Sequence, residues 1–484
     1  MAKHKVDSDL KRISKFTAGL GSQTSSTMNV GISLIFLLLI LTYALTTQNQ
    51  GEMGMFVVIA GVIGGYMAIN IGANDVANNI GPAVGSKALT MAGALIIAAI
   101  FEGAGAMLAG GDVIDTVRKG IIDPTGIDDM VFIYAMMAAL LAAALWLNLA
   151  TWVGAPVSTT HSIVGGVVGS GIAALGASAV NWTKMSQIAA SWVISPLLGG
   201  IIAALFLLFI KKMVLSREDK LAAARTWVPV LVGIMAGAFG MYLTMKGLKK
   251  LIKVDAATLW SIGFASLIIV WAITKPLVHR ASKGMDNRKK SIATLFTIPL
   301  IFSAALLSFA HGANDVANAV GPLAAIVSKA QGGGEAAKVA LPLWVMMIGA
   351  LGIGVGLLLF GPKLIKTVGG EITKLNQIRA FCVALSAAIT VIAASWLGLP
   401  VSSTHIAVGG VFGVGFLREY LSNKQKLDSK EVPNPEKAAK KAAKRKLVRR
   451  KHLFGIAAAW VITVPAAGGL SATIFFVLTG LFVD

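Results

Sequence analysis

The chain has 484 residues, of which 56% are hydrophobic and only 13% are charged. Its mean hydropathy of +0.77 excludes a set of ordinary soluble domains, because such domains carry about 25% charged residues. The net charge of +21 lies mainly in loops, as in membrane proteins with basic cytoplasmic loops, so we expect no nucleic-acid partner.

Apolar segments long enough to cross a membrane follow one another along the whole chain. They lie near residues 30–47, 54–72, 88–110, 130–150, 157–178, 187–210, 228–246, 259–276, 292–311, 338–360, 379–398, 402–417 and 453–481. The sequence therefore predicts an all-α, multi-pass protein of the cytoplasmic membrane with about 12–13 transmembrane helices. The single cysteine, Cys382, excludes an internal disulfide.

Five regions are predicted in chain order. A cytoplasmic N-terminal tail (1–29) precedes an extra transmembrane helix (30–50) and a first transmembrane repeat (51–210). Connecting helices and basic loops (211–290) lead to a second transmembrane repeat (291–484) with a basic cytoplasmic insertion (418–452). We expect the insertion to contact anionic lipid head groups.

Two motifs occur twice and in the same order, which indicates an internal duplication. "GANDVAN" begins at Gly72 and again at Gly312, and "PVSTTH" from Pro156 is matched by "PVSSTH" from Pro400. Both copies of each motif lie next to long apolar segments. The sequence therefore predicts two related transmembrane halves.

Basic loops predict the orientation of these halves. The loops after Lys211, after His279 and after Arg418 fall on one face of the predicted topology, which is then the cytoplasmic face. The span that ends at Lys211 runs inward, whereas its repeat partner, after His452, runs outward, so the repeats are inverted. The basic segment from Lys246 is an exception, because it falls on the outer face.

The first motif places polar side chains at membrane depth, where they are expensive and indicate function. Its residues are Asn74, Asp75 and Asn78 in one copy and Asn314, Asp315 and Asn318 in the other. We expect the helices to break near the midplane at the flanking Gly72 and Gly81–Pro82, and at Gly312 and Gly321–Pro322, as in many transporters with inverted repeats. Carboxylate, amide and carbonyl oxygens together suit a hard cation such as Na⁺.

The second motif presents hydroxyl groups after a proline. They belong to Ser158, Thr159, Thr160, Ser402, Ser403 and Thr404. Proline followed by Ser or Thr is also an ordinary helix start, with the hydroxyls as caps. The duplication beside the Asn-Asp motifs favours a ligand-binding role, and a helix N-terminus with hydroxyls suits an oxyanion.

Three further polar residues lie close to these motifs in sequence. His161 and His405 follow the hydroxyls, and the lack of a carboxylate at metal-ligand spacing favours hydrogen bonding to the binding side chains over a metal or proton-relay role. No metal is predicted beyond Na⁺ at Asp75 and Asp315. Glu102 aligns with Ile353 in the second half, so it is a candidate for a single coupling-ion or proton site; the alternative is a carboxyl paired with a neighbouring helix.

The segments "GANDVANNIGPAVGSK", "HGANDVANAVGP", "PVSTTH", "PVSSTH" and "DTVRKGIID" closely resemble the inorganic phosphate transporter (PiT) family of cation–phosphate symporters. The resemblance runs from about Gly61 to Gly469. It implies a duplicated, inverted fold with phosphate and coupling cations held centrally by the Asn, Asp, Ser and Thr residues of both motifs. It also places Glu102 where the family has a transport-critical glutamate, and it implies neither enzyme activity nor a cofactor. The first span and the insertion after Arg418 depart from the family pattern.

The functional prediction is a secondary active transporter that imports inorganic phosphate with a cation, with Na⁺ favoured over H⁺ because the repeated ligands are oxygens. H⁺-coupled symport of phosphate or of a metal–phosphate complex is the alternative within the family. An intramembrane aspartyl protease with Asp75 and Asp315 as its dyad, and a passive anion channel, are alternatives from other classes. The sequence is compatible with a homo-oligomer in a lipid membrane.

Overall fold

A computed structural model describes residues 27–47, 52–123, 127–153, 157–247, 254–331, 341–371, 375–427 and 450–482. Almost all of the predicted tail (1–29) lies outside the described residues. So does the central part of the predicted insertion (418–452).

Sixteen helices account for almost all of the described residues. They are α1 (Thr27–Thr47), α2 (Glu52–Gly85), α3 (Met91–Ala109), α4 (Gly111–Asp115, extended by a π-helical turn, Thr116–Gly120), α5 (Asp129–Val153), α6 (Thr159–Leu175), α7 (Trp182–Ile210), α8 (Lys220–Lys246), α9 (Ala256–Ala281), α10 (Lys289–Leu295), α11 (Thr297–Asp315), α12 (Ala317–Ala330), α13 (Leu343–Glu371), α14 (Gln377–Trp396), α15 (Ser403–Leu427) and α16 (Arg450–Phe482). An isolated bridge joins Ile122 to Val180. The predicted all-helical class is confirmed.

Eleven helical segments of the described chain are long and apolar enough to cross a membrane. The two remaining predicted spans, 157–178 and 402–417, correspond to α6 and α15. With 17 residues, α6 is only about 26 Å long, less than the roughly 30 Å of a bilayer core. The much longer α15 carries charged residues in its second half, from Arg418 onward. Both helices begin at a hydroxyl motif inside the protein, so neither is a complete apolar span.

The two copies of the Asn-Asp motif differ in backbone structure. In the second copy Val316 separates α11 from α12, directly after Asp315. In the first copy α2 continues unbroken from Glu52 to Gly85 and contains Pro82, so the predicted break there is wrong. The interruption in the second copy also lies between the predicted glycines rather than at them. Neighbouring helices stabilise proline and glycine inside a transmembrane helix, so neither residue has to end it.

Helices of one half pack against helices of the other half. The motif helix α2 packs against α13, and α11 packs against α3. Likewise α6 packs against α16, and α15 packs against α7. Each helix that carries a hydroxyl or Asn-Asp motif is thus held by a helix of the opposite half.

Glycines explain how closely these pairs approach. A Cβ atom added at Gly72 would overlap the backbone oxygen of Ile353, and one at Gly312 would overlap that of Glu102. The same relationship joins Gly165 of α6 to Val464 of α16, and its counterpart Gly409 of α15 to Pro196 of α7. Small residues allow helix backbones to come into contact within membranes, so these glycines pack the core rather than bend it.

Two contacts concern the additional first span and the basic segment that the prediction places on the outer face. The additional helix α1 lies against α2, where Ile40 covers Gly61 and Gly65. Lys246, at the start of the basic segment predicted on the outer face, forms an ion pair with Asp112 of α4. This pairing supplies a reason for a lysine on that face.

Candidate functional site

The Asn-Asp motifs of the two halves meet in the protein interior. Carboxylate oxygens of Asp75 and Asp315, together with a ring nitrogen of His311, all lie within 4.8 Å of one another. Both aspartates are buried, with 1% and 0% of their surface exposed. Two carboxylates at this distance repel each other strongly away from water, so the arrangement favours binding of a cation or a proton.

A hydroxyl of the second motif contacts each aspartate. Thr159 Oγ1 donates to Asp75 Oδ2 at 2.9 Å, and the equivalent Ser403 Oγ donates to Asp315 Oδ2 at 3.2 Å. Each half therefore builds the same carboxylate–hydroxyl pair from the Asn-Asp motif and the N-terminus of α6 or α15. Oxygen ligands of this kind suit a small, hard cation.

The remaining threonines connect one half to the other. Asn78 Nδ2 donates to Thr404 Oγ1 at 2.8 Å, and Asn318 Nδ2 lies 3.3 Å from Thr160 Oγ1, its counterpart. Thr404 Oγ1 also donates to Asp75 Oδ1 at 2.9 Å. The two motifs of one half thus interlock with those of the other.

Asn74 and Asn314 hold the loops that lead into α6 and α15. Asn74 Nδ2 donates to the carbonyl of Val157 at 3.1 Å. Asn314 donates to the carbonyl of Leu399 at 3.0 Å and accepts from the N–H of Val401 at 3.1 Å. Predicted as ligands, these amides position the loops that carry the hydroxyls.

Ser158 and Ser402 are helix caps. Ser158 Oγ accepts the N–H of His161 at 3.2 Å, and Ser402 Oγ accepts that of His405 at 3.3 Å. The ordinary interpretation of Pro-Ser as a helix start therefore holds for the first hydroxyl of each motif. The following hydroxyls lie at the N-termini of α6 and α15, next to the aspartates, where free N–H groups favour an anion.

His161 and His405 pack against each other behind these N-termini. Their ring centroids are 4.7 Å apart, and His161 also contacts the Trp192 ring at 3.9 Å. Among the described residues neither ring nitrogen of His161 has a hydrogen-bond partner. The structure thus gives His161 ring contacts in place of the predicted hydrogen bonds to the binding side chains.

Glu102 lies beside the aspartates and has two partners that sequence reasoning missed. Asn79 Nδ2 donates to Glu102 Oε1 at 2.8 Å, and His311 Nδ1 lies 3.3 Å from the same oxygen. The other ring nitrogen of His311, Nε2, lies 2.8 Å from Asp315 Oδ2 and 3.8 Å from Asp75 Oδ2. Glu102 is therefore connected to both aspartates through one imidazole.

A position-by-position comparison of the two copies would have revealed these partners. Asn79 follows the first "GANDVAN" and His311 precedes the second; the equivalent residues in the other copy are Ala319 and Ile71. A polar residue whose equivalent in the other copy is apolar indicates a feature that is not duplicated.

Of the predicted site residues, only Asn78 is partly exposed, and the others are buried. The structure therefore represents a state in which the carboxylates are closed to bulk solvent.

Comparisons with known proteins identify the family. The model of the phosphate transporter family matches residues 71–471. A protein named as a phosphate permease in Helicobacter pylori is 44% identical, over 97% of this chain and 98% of its own. A similarly named protein of Pyrococcus abyssi is 38% identical, over 88% of this chain and 99% of its own.

A solved structure agrees with the sequence matches. The structure described as the sodium-dependent phosphate transporter superposes with a TM-score of 0.79 at 34% identity, and covers 89% of this chain and 100% of that one. Both the sequence and the fold match over most of the chain, and the protein belongs to the phosphate transporter family.

Proposed function

We propose that the protein imports inorganic phosphate across the cytoplasmic membrane by symport with a cation, with Na⁺ favoured over H⁺. The observation that carries this proposal is the pair of buried carboxylates, one from each half, with ligand oxygens within 4.8 Å of each other and a hydroxyl on each. The sodium-dependent phosphate transporter of similar fold supports the choice of Na⁺.

Electrostatics gives the reason for coupling. Phosphate carries one to two negative charges near neutral pH, and Asp75, Asp315 and Glu102 would repel it in a buried cavity. A cation bound at the aspartates reduces this repulsion. Phosphate in turn stabilises the bound cation, because coupling between two binding sites is reciprocal.

The hydroxyl groups link cation binding to phosphate binding. Each hydroxyl has only one hydrogen to donate, and those of Thr159, Ser403 and Thr404 point at carboxylate oxygens. Once a cation takes over those oxygens, the hydroxyl hydrogens become available to phosphate, while the hydroxyl oxygens can still contact the cation. Phosphate then lies at the N-termini of α6 and α15.

The proposal assigns ion or phosphate binding to residues of both copies: Asp75, Asn78, Thr159, Thr160, Asp315, Asn318, Ser403 and Thr404. Asn74, Asn314, Ser158 and Ser402 hold the loops and helix N-termini that carry these residues. Glu102 is the candidate for a second, single coupling site, with His161 and His405 packed behind the N-termini. Because the chain belongs to a transporter family, the protein is not the intramembrane protease considered above.

Transport by the purified protein in liposomes tests the proposal. Labelled phosphate uptake is measured under an imposed Na⁺ gradient at constant pH, and then under a pH gradient without Na⁺. We expect concentrative uptake under the Na⁺ gradient. Uptake driven only by protons would move coupling to Glu102 or the histidines, in favour of H⁺-coupled symport of phosphate or metal–phosphate. Uptake that never exceeds equilibrium would indicate a passive anion channel.

A further inference from the structure

One stretch of sequence has different backbone structures in the two halves. Residues 110–120 align with residues 361–371, starting at the last glycine of "GAGAMLAG" and of "GVGLLLFG". In the first half α3 ends before Gly110, and the chain continues as the short α4 and its π-helical turn. In the second half α13 is one α-helix through the whole equivalent stretch. The same part of the repeat therefore occurs in two conformations within one molecule.

Contacts with the Asn-Asp motifs support this alignment. A Cβ atom added at Gly110 would lie 2.7 Å from Cγ1 of Val316, and one added at Gly361 would lie 2.7 Å from Cγ1 of Val76. Val316 and Val76 are the same letter of the repeated "GANDVAN". The two stretches therefore start at equivalent points of the fold, and the difference lies in the residues that follow the glycines.

In the first half this stretch covers part of α12. We call residues 111–120 the outer segment. Its Val117 is 1% exposed, and a Cβ added at Gly321 of α12 would lie 2.7 Å from the Cβ of Val117. The counterpart of Gly321 is Gly81 of α2, where an added Cβ meets no atom of the described residues within 4 Å. The outer segment thus covers a surface whose counterpart the described residues leave open.

Two further contacts hold the outer segment in this position. Thr116 Oγ1 donates to the carbonyl of Gly398 at 2.7 Å, in the loop that leads into α15. Directly after the segment, the carbonyl of Ile121 accepts the N–H of Asn181 at 2.9 Å, just before α7. The outer segment therefore connects elements of both halves.

Exposure of α2 and α12 shows the same asymmetry. On α2, Asn78 and Val84 are partly exposed, whereas their counterparts on α12, Asn318 and Ala324, are buried. In the predicted topology α2 ends at the cytoplasmic face and α12 ends at the outer face. The binding site is thus more enclosed towards the outside than towards the cytoplasm.

We propose that the outer segment is the gate that closes the binding site to the outside, and that it opens by adopting the continuous-helix conformation of its counterpart in α13. The inference rests on the proposed function, because a gate has a task only in a protein that takes up phosphate on one side and releases it on the other. Gly110, between α3 and α4, is the hinge, since residues at the ends of helices absorb such backbone changes. The gate is closed in this structure.

Thiol labelling of intact cells tests the gate without a measurement of transport. Cys382 is the only cysteine of the chain and is buried, so a Cys382→Ala background allows a single reporter, Val117→Cys, to be followed. We expect this reporter to react slowly with a membrane-impermeant maleimide added outside, because the closed gate buries it. The exposed control Trp182→Cys should react fast.

Gly321→Ala should hold the gate open, because its methyl group overlaps Val117 in the closed position. We expect labelling of the Val117→Cys reporter to become at least about tenfold faster, since overpacking destabilises the closed position. Gly81→Ala is the matched control. It makes the same change at the counterpart glycine, where the methyl group meets none of the described atoms, and should leave the labelling rate unaltered. Equal labelling rates in the two variants would overturn the proposal.

A reversible lock tests whether transport requires the movement. A Cβ added at Gly120, the last residue of the outer segment, would lie 3.8 Å from Cγ of Lys184 in α7, so cysteines at these two positions can form a disulfide. With Gly120→Cys and Lys184→Cys combined in the Cys382→Ala background, we expect oxidation to abolish Na⁺-driven phosphate uptake in liposomes and reduction to restore it. Each single variant should transport equally under both conditions.

Full uptake with the disulfide formed would refute the gate, and failure of the two cysteines to bridge would refute its closed position. Should Gly321→Ala fail to fold, Thr116→Val replaces it. This variant removes the hydrogen bond to Gly398, and an unaltered labelling rate would again overturn the proposal. Unaltered labelling together with normal Na⁺-driven uptake would refute the gate alone, whereas the expected labelling without such uptake would refute the proposed function alone.

Discussion

The amide of Asn78 donates a hydrogen bond of 2.8 Å to the hydroxyl of Thr404, a residue of the opposite half of the chain. The same hydroxyl donates to Asp75 Oδ1 at 2.9 Å. One threonine of the second half thereby fixes two residues of the first half's Asn-Asp motif. Its hydroxyl is therefore a sensitive point at which to test the proposed site.

Thr404→Val removes this hydroxyl at nearly constant volume. We expect the half-saturating Na⁺ concentration for phosphate uptake to rise about 10- to 100-fold, because a hydrogen bond to a charged group contributes about 1.5–3 kcal/mol. Thr404→Ser keeps the hydroxyl and serves as the control. The measurement is phosphate uptake in liposomes as a function of Na⁺ concentration. If the valine variant has unaltered sodium dependence, the Thr404 hydroxyl is not part of the site.

Asp75→Asn keeps the shape of the side chain but removes its charge. We expect both weaker sodium dependence and slower phosphate uptake, since the cation loses a carboxylate ligand and phosphate then binds without it. Uptake is measured against Na⁺ concentration at fixed pH. Asp75→Glu retains the charge and should keep more of the sodium response. If the asparagine variant responds to Na⁺ as the unaltered protein does, Asp75 does not bind the coupling ion.

Gly312→Ala tests the close contact of α11 with α3. A Cβ at this position overlaps the backbone of Glu102, which cannot move aside as a flexible side chain could. Overpacking of this kind costs about 1–3 kcal/mol, so we expect a clearly lower melting temperature in detergent. Gly103→Ala, on α3 itself, meets no atom within 4 Å and should melt like the unaltered protein. Equal melting of the two variants would contradict the contact.

Ile353→Glu tests the asymmetry of the two halves. Ile353 is fully buried and corresponds to Glu102, and the counterparts of His311 and Asn79, which contact Glu102, are the apolar residues Ile71 and Ala319. An uncompensated buried charge costs about 3–5 kcal/mol, so we expect poor folding, detected as aggregation on size-exclusion chromatography. Ile353→Met should remain monodisperse. A well-folded glutamate variant would show that the second half also accommodates an acid.

Much of the candidate site can be predicted from its repeated letters. The duplication predicts that Asp75 and Asp315 form a pair. The second motif predicts a hydroxyl group beside each acid, because polar groups at membrane depth need partners. The equivalence of Glu102 and Ile353, drawn from sequence alone, agrees with the matching backbone contacts that these residues make with Gly312 and Gly72.

Other features depend on packing that a single sequence does not encode locally. Nearly identical motifs give an unbroken α2 and an interruption at Val316, because the surrounding helices decide whether freed backbone groups are satisfied. For His311, comparison of the two copies marks the residue itself, because the equivalent position holds Ile71. Its contacts with Glu102 and Asp75 depend on the packing, since both partners come from the distant first half of the chain.

The glycine contacts between the two halves affect the order in which the protein folds during synthesis. Gly165 and Gly169 of α6 lie directly against the backbone of Val464 and Gly468, which the ribosome adds much later than α6. At about 5–20 residues per second, roughly a quarter of a minute to a minute passes between α6 and α16. During that interval the short α6, with its polar N-terminus, can pack against α5 but lacks its partner from the second half. A nascent first half therefore cannot form this contact alone, and insertion of α16 is needed to complete it.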